Sequence, residues 1–497
     1  MNADKKNKKV AGRAAPRPRR PRSFYVAIAL FLVTRLYILL VADIRGSSLL
    51  QVNVAYTFSW QLAQEQGGGF YSVASEVKKA AGSGGSHDPI EYAVEYPPLA
   101  IAWMALPGEL LPALSSQGAV LPGLVQRYIQ ANRIALAIVD LLGFLLLARR
   151  GSARQLLFYS AAGLILMHIL YDRFDLLVGV ILLAALTLLC GRVRYLASFV
   201  VLAAAINLKL TPIVLLPVWV LGAMPAAALA RCRDKAGLWR LALEAARRSG
   251  EMLALTAAMF LPFYWLGGRQ TLDFLRYHAH RGLEIESLWA SLALIAGRIF
   301  GLSTQSALNF GAVHVSSPIT PVLMKLVPLA EAGVLATAAG SLVWSAYRRL
   351  SSGDTGNAGR ATVAQAAPDL IAAYTILFQL LSIVTSSVFS PQYLLWLLPL
   401  APLLDRGGKP VPRFVPGFLA VCLITTAIFP YLWAGQITPA PAGSAAILPP
   451  TLLGISLLAI RNLLVLTLAV GLWIWVSRTP VPPGVGGSPP PNRGNHI

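Results

Sequence analysis

An all-α polytopic membrane protein is the fold class this sequence predicts, and three observations carry the prediction. Apolar runs close to the ~20 residues needed to cross a bilayer recur along the whole chain. Hydrophobic residues make up 56% of the 497 positions and charged residues only 13%, giving a mean hydropathy of +0.62. The net charge of +21 is gathered in tails and in short segments between the apolar runs, with no folded basic domain to carry it. That distribution argues against a nucleic-acid partner and marks the basic segments as loops kept on the cytoplasmic side.

Taken in order, the chain opens with a Pro/Arg-rich tail, 1–23, holding Lys5, Lys6, Lys8, Lys9, Arg13, Arg17, Arg19, Arg20 and Arg22, and it is expected to be disordered and cytoplasmic. The apolar run 24–42 is long, lacks a small-residue cleavage site and is followed by many more, so it reads as a retained helix. A polar loop, 43–97, follows. Helices are then expected at 98–115, 128–148, 155–170, 174–190, 195–208, 211–224, 251–267, 319–346, 367–388, 391–404, 413–433 and 450–476. Several are short for a span and need protein neighbours as well as lipid. The count comes to about twelve crossings. The transmembrane domain runs over 24–477, with a second large outer region at 268–318, and a disordered Pro/Gly-rich tail occupies 478–497. Cys190, Cys232 and Cys422 lack the paired spacing of a disulfide framework or zinc site and read as packing residues.

Charge sorts the connections. Segments 191–194, 231–248, 347–352 and 405–413 are basic and belong with the N-terminal tail. Segments 43–97, 171–175, 207–212, 268–318, 390–393 and 435–449 then fall together on the other, outer side. The basic segment 148–154 does not fit: either 98–115, broken by Pro107, is not a full span, or the charge rule fails there. Most charged residues outside the basic loops, with the His and Tyr residues, thus share one face. Solute transport calls for ionisable groups near the midplane, and Asp140 is the one clear candidate. One-sided polar chemistry favours an enzyme at the outer surface.

Four stretches carry that chemistry. In "VEYPPLA", 94–100, the prolines hold Tyr96 extended and start a helix at a fixed angle, leaving Glu95 near a helix N-terminus. An acidic helix start and a functional carboxylate both fit it. In "YDRFD", 171–175, Asp175 can cap the next helix, while Asp172 and Arg173 can pair or bind a ligand. "NLKLTP" puts Lys209 at the tip of an apolar hairpin, where a cation snorkels to lipid phosphate or meets a substrate phosphate. "RYHAHRGLEIES", 276–287, is the densest polar cluster. Its His278 and His280, two apart, do not share a helical face, so a phosphate-binding and acid/base loop fits it better than zinc.

In this order "EYPPLA", "RFDLL", "NLKLTPIVLLP", "YHAHRGLEIESLWA" and "SPQYLLWLLPL" resemble bacterial glycosyltransferase family 87, over most of 24–476. The resemblance implies a GT-C-like helical bundle. It also implies an inverting transfer of a sugar, typically mannose, from a polyprenyl-phosphate donor to a lipid-linked or cell-envelope acceptor on the outer face. Neither a metal nor another cofactor is expected, and no DxD motif is present. A carboxylate must take the acceptor proton and cations must hold the departing phosphate. The base candidates are Glu95, Asp43 and, behind them, His278; the phosphate candidates are Lys209, Arg281 and Arg173. Sugar or acceptor contacts fall to Tyr96, Asp172, Glu284, Glu286, Gln392 and Tyr393. The sequence departs from the family at the aspartate usually found after the first helix, where Asn53 stands, with Tyr56 downstream; an amide is no base at neutral pH. Two other classes stay open: a lipid or oligosaccharide transporter, and a non-catalytic relative that binds polyprenyl phosphates.

Overall fold

The computed structural model describes residues 21–40, 48–80, 88–109, 111, 115–116, 119–120, 122–191, 195–232, 234–351, 361–405, 411, 413–440 and 447–478. Helices dominate it. The first, α1 (Arg22–Leu40), leads to two helices inside the expected polar loop, α2 (Ser48–Gln66) and α3 (Phe70–Ala80), then a 3-10 turn, Pro89–Tyr92, capped by Asp88. Helix α4 (Pro98–Glu109) ends well short of the expected residue 115, and a small strand pair, β1 (Ser115–Ser116) with β2 (Ala119–Val120), follows it. At 12 residues α4 is about 18 Å long, too short to cross a bilayer core.

The next stretch holds α5 (Pro122–Arg150), α6 (Ala153–Ile165), the short α7 (Met167–Leu170), α8 (Asp175–Leu189) and α9 (Tyr195–Leu208). A 3-10 turn, Thr211–Leu215, feeds α10 (Leu216–Ala223) and α11 (Ala226–Ala230). Helix α12 (Lys235–Gly267), capped by Asp234, absorbs most of the basic segment 231–248, expected to be loop. Glu244 and Glu251 pair with Arg247 and Arg248 at helical spacing, which lets a charged sequence continue the helix.

The region 268–318 is built, too. It contains α13 (Asp273–His280), α14 (Leu288–Phe300) and the antiparallel hairpin β3 (Gln305–Asn309) with β4 (Ala312–Ser316). Residues 283–285 run beside β4, with Val315 N–H donating to Leu283 O and Ile285 N–H to Val313 O. The chain finishes with α15 (Thr320–Ser351), α16 (Val363–Ala366), α17 (Pro368–Thr385), α18 (Leu394–Leu397), α19 (Phe414–Thr426), continued by wider turns to Ile437 across a kink at Phe429, whose backbone is extended, and α20 (Leu452–Arg478). The expected helix 391–404 is broken into α18 and two 3-10 turns, as Pro391, Pro399 and Pro402 would require.

Among the described residues, six helices are long and apolar enough to cross a membrane: α1, most of α5, α15, α17, α19 with its continuation, and α20. Four further apolar stretches, α8, α9, 211–223 and α14, have 10–17 residues, so length alone does not reach about twelve crossings. Helix α17 is buried on every side from Leu370 to Thr385 and forms the core, packed by α15 and α20.

Contacts also order the connections. Gly191 O accepts from Gln365, Ala226 N–H donates to Ala361 O, Arg154 pairs with Asp405 and Gln155 donates to Pro402 O. The end of the basic segment 148–154 therefore sits beside the start of the basic segment 405–413, and α4 is too short to count as a crossing. Between the ends, Asp140 is fully buried, 2.8 Å from Arg35 Nε and bonded by the hydroxyls of Tyr159 (2.5 Å) and Tyr171 (2.7 Å).

Candidate functional site

Five of the six connections sorted together by charge, 43–97, 171–175, 207–212, 268–318 and 390–393, meet around one cavity of about 430 Å³. Nine of the expected site residues line it: Glu95, Tyr96, Arg173, Lys209, His278, Arg281, Glu284, Gln392 and Tyr393.

Lys209 follows directly on α9, and Pro212 turns the chain back, so its ammonium is carried into the wall instead of out to lipid. It pairs at 2.8 Å with Asp175, which is itself anchored by Trp396 Nε1, also at 2.8 Å. The rings of Tyr96, Phe174, Tyr393 and Trp396 surround it at 5.3–5.7 Å. Asp175 occupies the first position of α8 but makes no side-chain capping bond; its carboxylate is spent on Lys209 and Trp396. One carboxylate and four ring faces hold the cation while leaving donors of its ammonium for an anion.

Two guanidinium groups complete the positive side. Arg173 reaches Tyr96 Oη at 3.4 Å, and its buried Nε has no partner among the described residues. Arg281, placed by the strand-like run 283–285, likewise has a buried, unpartnered Nε. Unsatisfied guanidinium donors beside a cavity suit a bidentate anion.

The carboxylates lie on neighbouring parts of the wall. Glu95 precedes the Pro97–Pro98 start of α4, and its Oε2 accepts from Lys78 Nζ at 2.8 Å and from the Tyr56 hydroxyl. Burial disfavours its charge, but Lys78 and Tyr56 outweigh that and hold the carboxyl below the usual glutamate range. Lys78 also donates to Ala93 O at 2.7 Å, which fixes the loop that carries Glu95. His278, exposed at the rim of the cavity, contacts Glu95 O through Nε2 at 3.0 Å; loss of surrounding water, with Arg281 and Lys209 nearby, pushes its pKa down to about 4. Glu284 is buried with Oε2 unpartnered among the described residues, and burial raises its pKa.

Three expected site residues lie elsewhere. Asp172 is fully buried and pairs at 3.0 Å with Arg133 of α5, not with Arg173, so it braces α5 against the α7–α8 turn behind the cavity. Glu286 faces Arg461 of α20, whose Nη2 donates to the Glu286 backbone O at 2.6 Å; burial pushes its carboxyl up to about 7. It ties 284–287 to α20 and does not line the cavity of Glu95 and Lys209. Asp43 lies outside the described residues. Asn53 is buried off the cavity wall, and Tyr56, nearly one turn further along α2, is the residue that reaches Glu95. His280 turns away from His278 to Asp88, 2.9 Å away, so the two do not converge on a metal.

Sequence reasoning missed Lys78, Asp175 as the partner of Lys209, and Glu331 of α15, which also lines the cavity. Glu331 had a signal: it is the one acid in a 32-residue apolar helix. Lys78 had none, because its partner comes from a loop that packs on α3 only in the fold. Comparison with protein-family models gives no match to the chain, and comparison with curated proteins gives no significant match, so the chemistry of the cavity carries the functional conclusion.

Proposed function

We propose that the protein is an integral-membrane glycosyltransferase of GT-C type, moving a sugar such as mannose from a polyprenyl-phosphate donor to a lipid or glycan acceptor at the outer face. The observation that carries this is the convergence of Lys209, Arg173 and Arg281, from three separate connections, with Glu95 in one cavity. Fixed cations in a partly dry wall stabilise a departing phosphate without reorganisation. The outer-face assignment rests on the charge sorting, which places every connection that lines the cavity opposite the basic loops.

In the proposed step an acceptor hydroxyl attacks the anomeric carbon from the face opposite the phosphate. The new C–O bond forms as the bond from that carbon to the phosphate oxygen breaks. The bonding electrons leave with polyprenyl phosphate, held by the three cations, and the hydroxyl proton passes to Glu95. The bonds to Glu95 fall on Oε2, which leaves Oε1 for the proton. A solute pathway gains nothing from Asp140, which is sealed by Arg35, Tyr159 and Tyr171 away from the cavity.

The test uses purified protein in liposomes with radiolabelled polyprenyl-phosphate mannose and a membrane-lipid extract as acceptor. Wild type is expected to label the extract, and Glu95→Gln to slow transfer by roughly 10²–10⁴-fold. Absence of transfer by the wild type overturns the proposal; full transfer by Glu95→Gln overturns the choice of base.

A further inference from the structure

Glu331 is placed where a carboxylate is costly. It lies 11 positions after the first residue of α15, roughly 16 Å along a helix that is apolar enough to cross a membrane. A charge at such depth normally faces a partner cation or a water-filled space. Among the described residues Glu331 has no ion pair; Ser382 of α17 donates to its Oε1 at 3.1 Å. Both side chains line the cavity, on the wall made by α15 and α17, and Ser386 and Ser387 continue that wall beyond α17. The cations of the same cavity come from other elements, Arg173 and Lys209 from the ends of α7 and α9 and Arg281 from the end of α13. The cavity therefore has cations suited to phosphate and, on the side made by α15 and α17, the Glu331 carboxylate with serine hydroxyls; Glu284, near Arg281, meets that side where its N–H donates to Ser387 O at 3.0 Å.

Those groups have the chemistry of polyol recognition. A glutamate carboxyl exchanges hydrogen bonds with adjacent hydroxyls through both of its oxygens, and a serine hydroxyl both donates and accepts. A phosphate or an aliphatic chain would be repelled from such a wall or leave it unsatisfied. We propose that Glu331, with Ser382, recognises the hexosyl ring of the donor, taking hydrogen bonds from its hydroxyls while Lys209, Arg173 and Arg281 hold the phosphate. This rests on the sugar-transfer reading above and makes Glu331 a specificity-determining residue for the donor.

Affinity separates the two parts without any acceptor. Binding of polyprenyl phosphate and of polyprenyl-phosphate mannose is measured on the full chain in nanodiscs. Wild type is expected to bind both, the mannosylated lipid more tightly. Glu331→Gln is expected to cut the affinity for the mannosylated lipid about tenfold or more while keeping that for the bare lipid, since the amide has one acceptor oxygen where the carboxyl has two. Ser382→Ala should act in the same direction, more weakly. Lys209→Ala should weaken both lipids together. Retained binding of the bare lipid reports that each Glu331 or Ser382 variant is folded. Equal binding of the two lipids by wild type, or an unchanged preference in Glu331→Gln, overturns the inference and leaves the phosphate site standing. Failure of the wild type to bind either lipid overturns both.

Discussion

The carbonyl of Glu95 can only accept, so the hydrogen in its 3.0 Å contact with His278 sits on Nε2, and Nδ1 keeps a lone pair. This holds while the ring is neutral, and a pKa lowered from 6.5 to about 4 keeps it neutral near pH 7. In the unfolded chain the ring takes up its proton near 6.5, so between that pH and about 4 the unfolded state binds more protons and stability falls as pH falls. Glu95 acts in the same direction: its lowered pKa contributes stability above the ordinary glutamate range, lost as pH falls through the folded value. Glu286, raised to about 7, and Glu284 act in the opposite sense, so the check is a difference: the melting-temperature advantage of the wild type over His278→Gln is expected to shrink as the pH is lowered from 6.5 towards 4. The amide of His278→Gln can still donate to the Glu95 carbonyl, so the comparison isolates the titration; a difference that does not change with pH would remove His278 as its source. The site was most legible where polar side chains gather at the joins between apolar runs, as Lys209, Arg173 and Arg281 do. It was illegible where the partner is distant in sequence. "SEVKKA" reads as the exposed polar end of a helix, and nothing local says that Lys78 turns onto a carboxylate 17 residues later.

Helix α8 carries Asp175 at its start, and its position is set by a close approach further along. A Cβ added at Gly179 would lie 2.3 Å from the Leu395 carbonyl oxygen of α18 and 3.1 Å from Pro399 Cδ. The obstacle is backbone, so one of the two helices must move. Gly179→Ala is expected to destabilise the protein by about 1–3 kcal/mol, the usual cost of overpacking a tight core, while Gly471→Ala, with nothing within 4 Å, should be neutral or stabilising by up to ~1 kcal/mol. Paired thermal melts check this; equal melting temperatures for the two variants would show that α8 and α18 do not fix each other. Long apolar helices such as α9, α17 and α20 were legible to within a few residues, because a sustained apolar run in a membrane chain has few alternatives. Helices α2, α3, α13 and α14 and the β3–β4 hairpin were not. The sequences of α2, α3, α13 and the hairpin are mixed, and α14, though apolar, has only 13 residues; their order comes from packing on one another and on the bundle. The charged start of α12 was misread because its ion pairs are visible only once a helical spacing is assumed.

Across the whole molecule, Arg35 and Asp140 join α1 to α5, with α6 supplying Tyr159 and the turn after α7 supplying Tyr171. The guanidinium is packed so closely on α6 that a Cβ at Gly163 would fall 2.2 Å from its Nη2. A buried pair of this kind is weak evidence for stability in itself, yet removing one member leaves an uncompensated charge. Asp140→Leu is therefore expected to cost about 3–5 kcal/mol, and Arg35→Met combined with Asp140→Leu to recover most of it, because apolar replacements of similar volume relieve the desolvation penalty. The unpaired hydroxyls of Tyr159 and Tyr171 keep the recovery incomplete, at about 1 kcal/mol or more each. Function distinguishes the roles that this pair can have. A clamp between helices predicts that the double variant, once folded, still binds polyprenyl phosphate and transfers sugar close to the wild-type rate. An ionisable step on a solute pathway predicts that flux disappears in the double variant however well it folds. Measuring thermal stability and transfer on the same proteoliposome preparations separates the two: recovered stability with recovered transfer assigns the pair to the scaffold, and recovered stability without transfer moves the working groups of the protein from the cavity to the middle of the bundle.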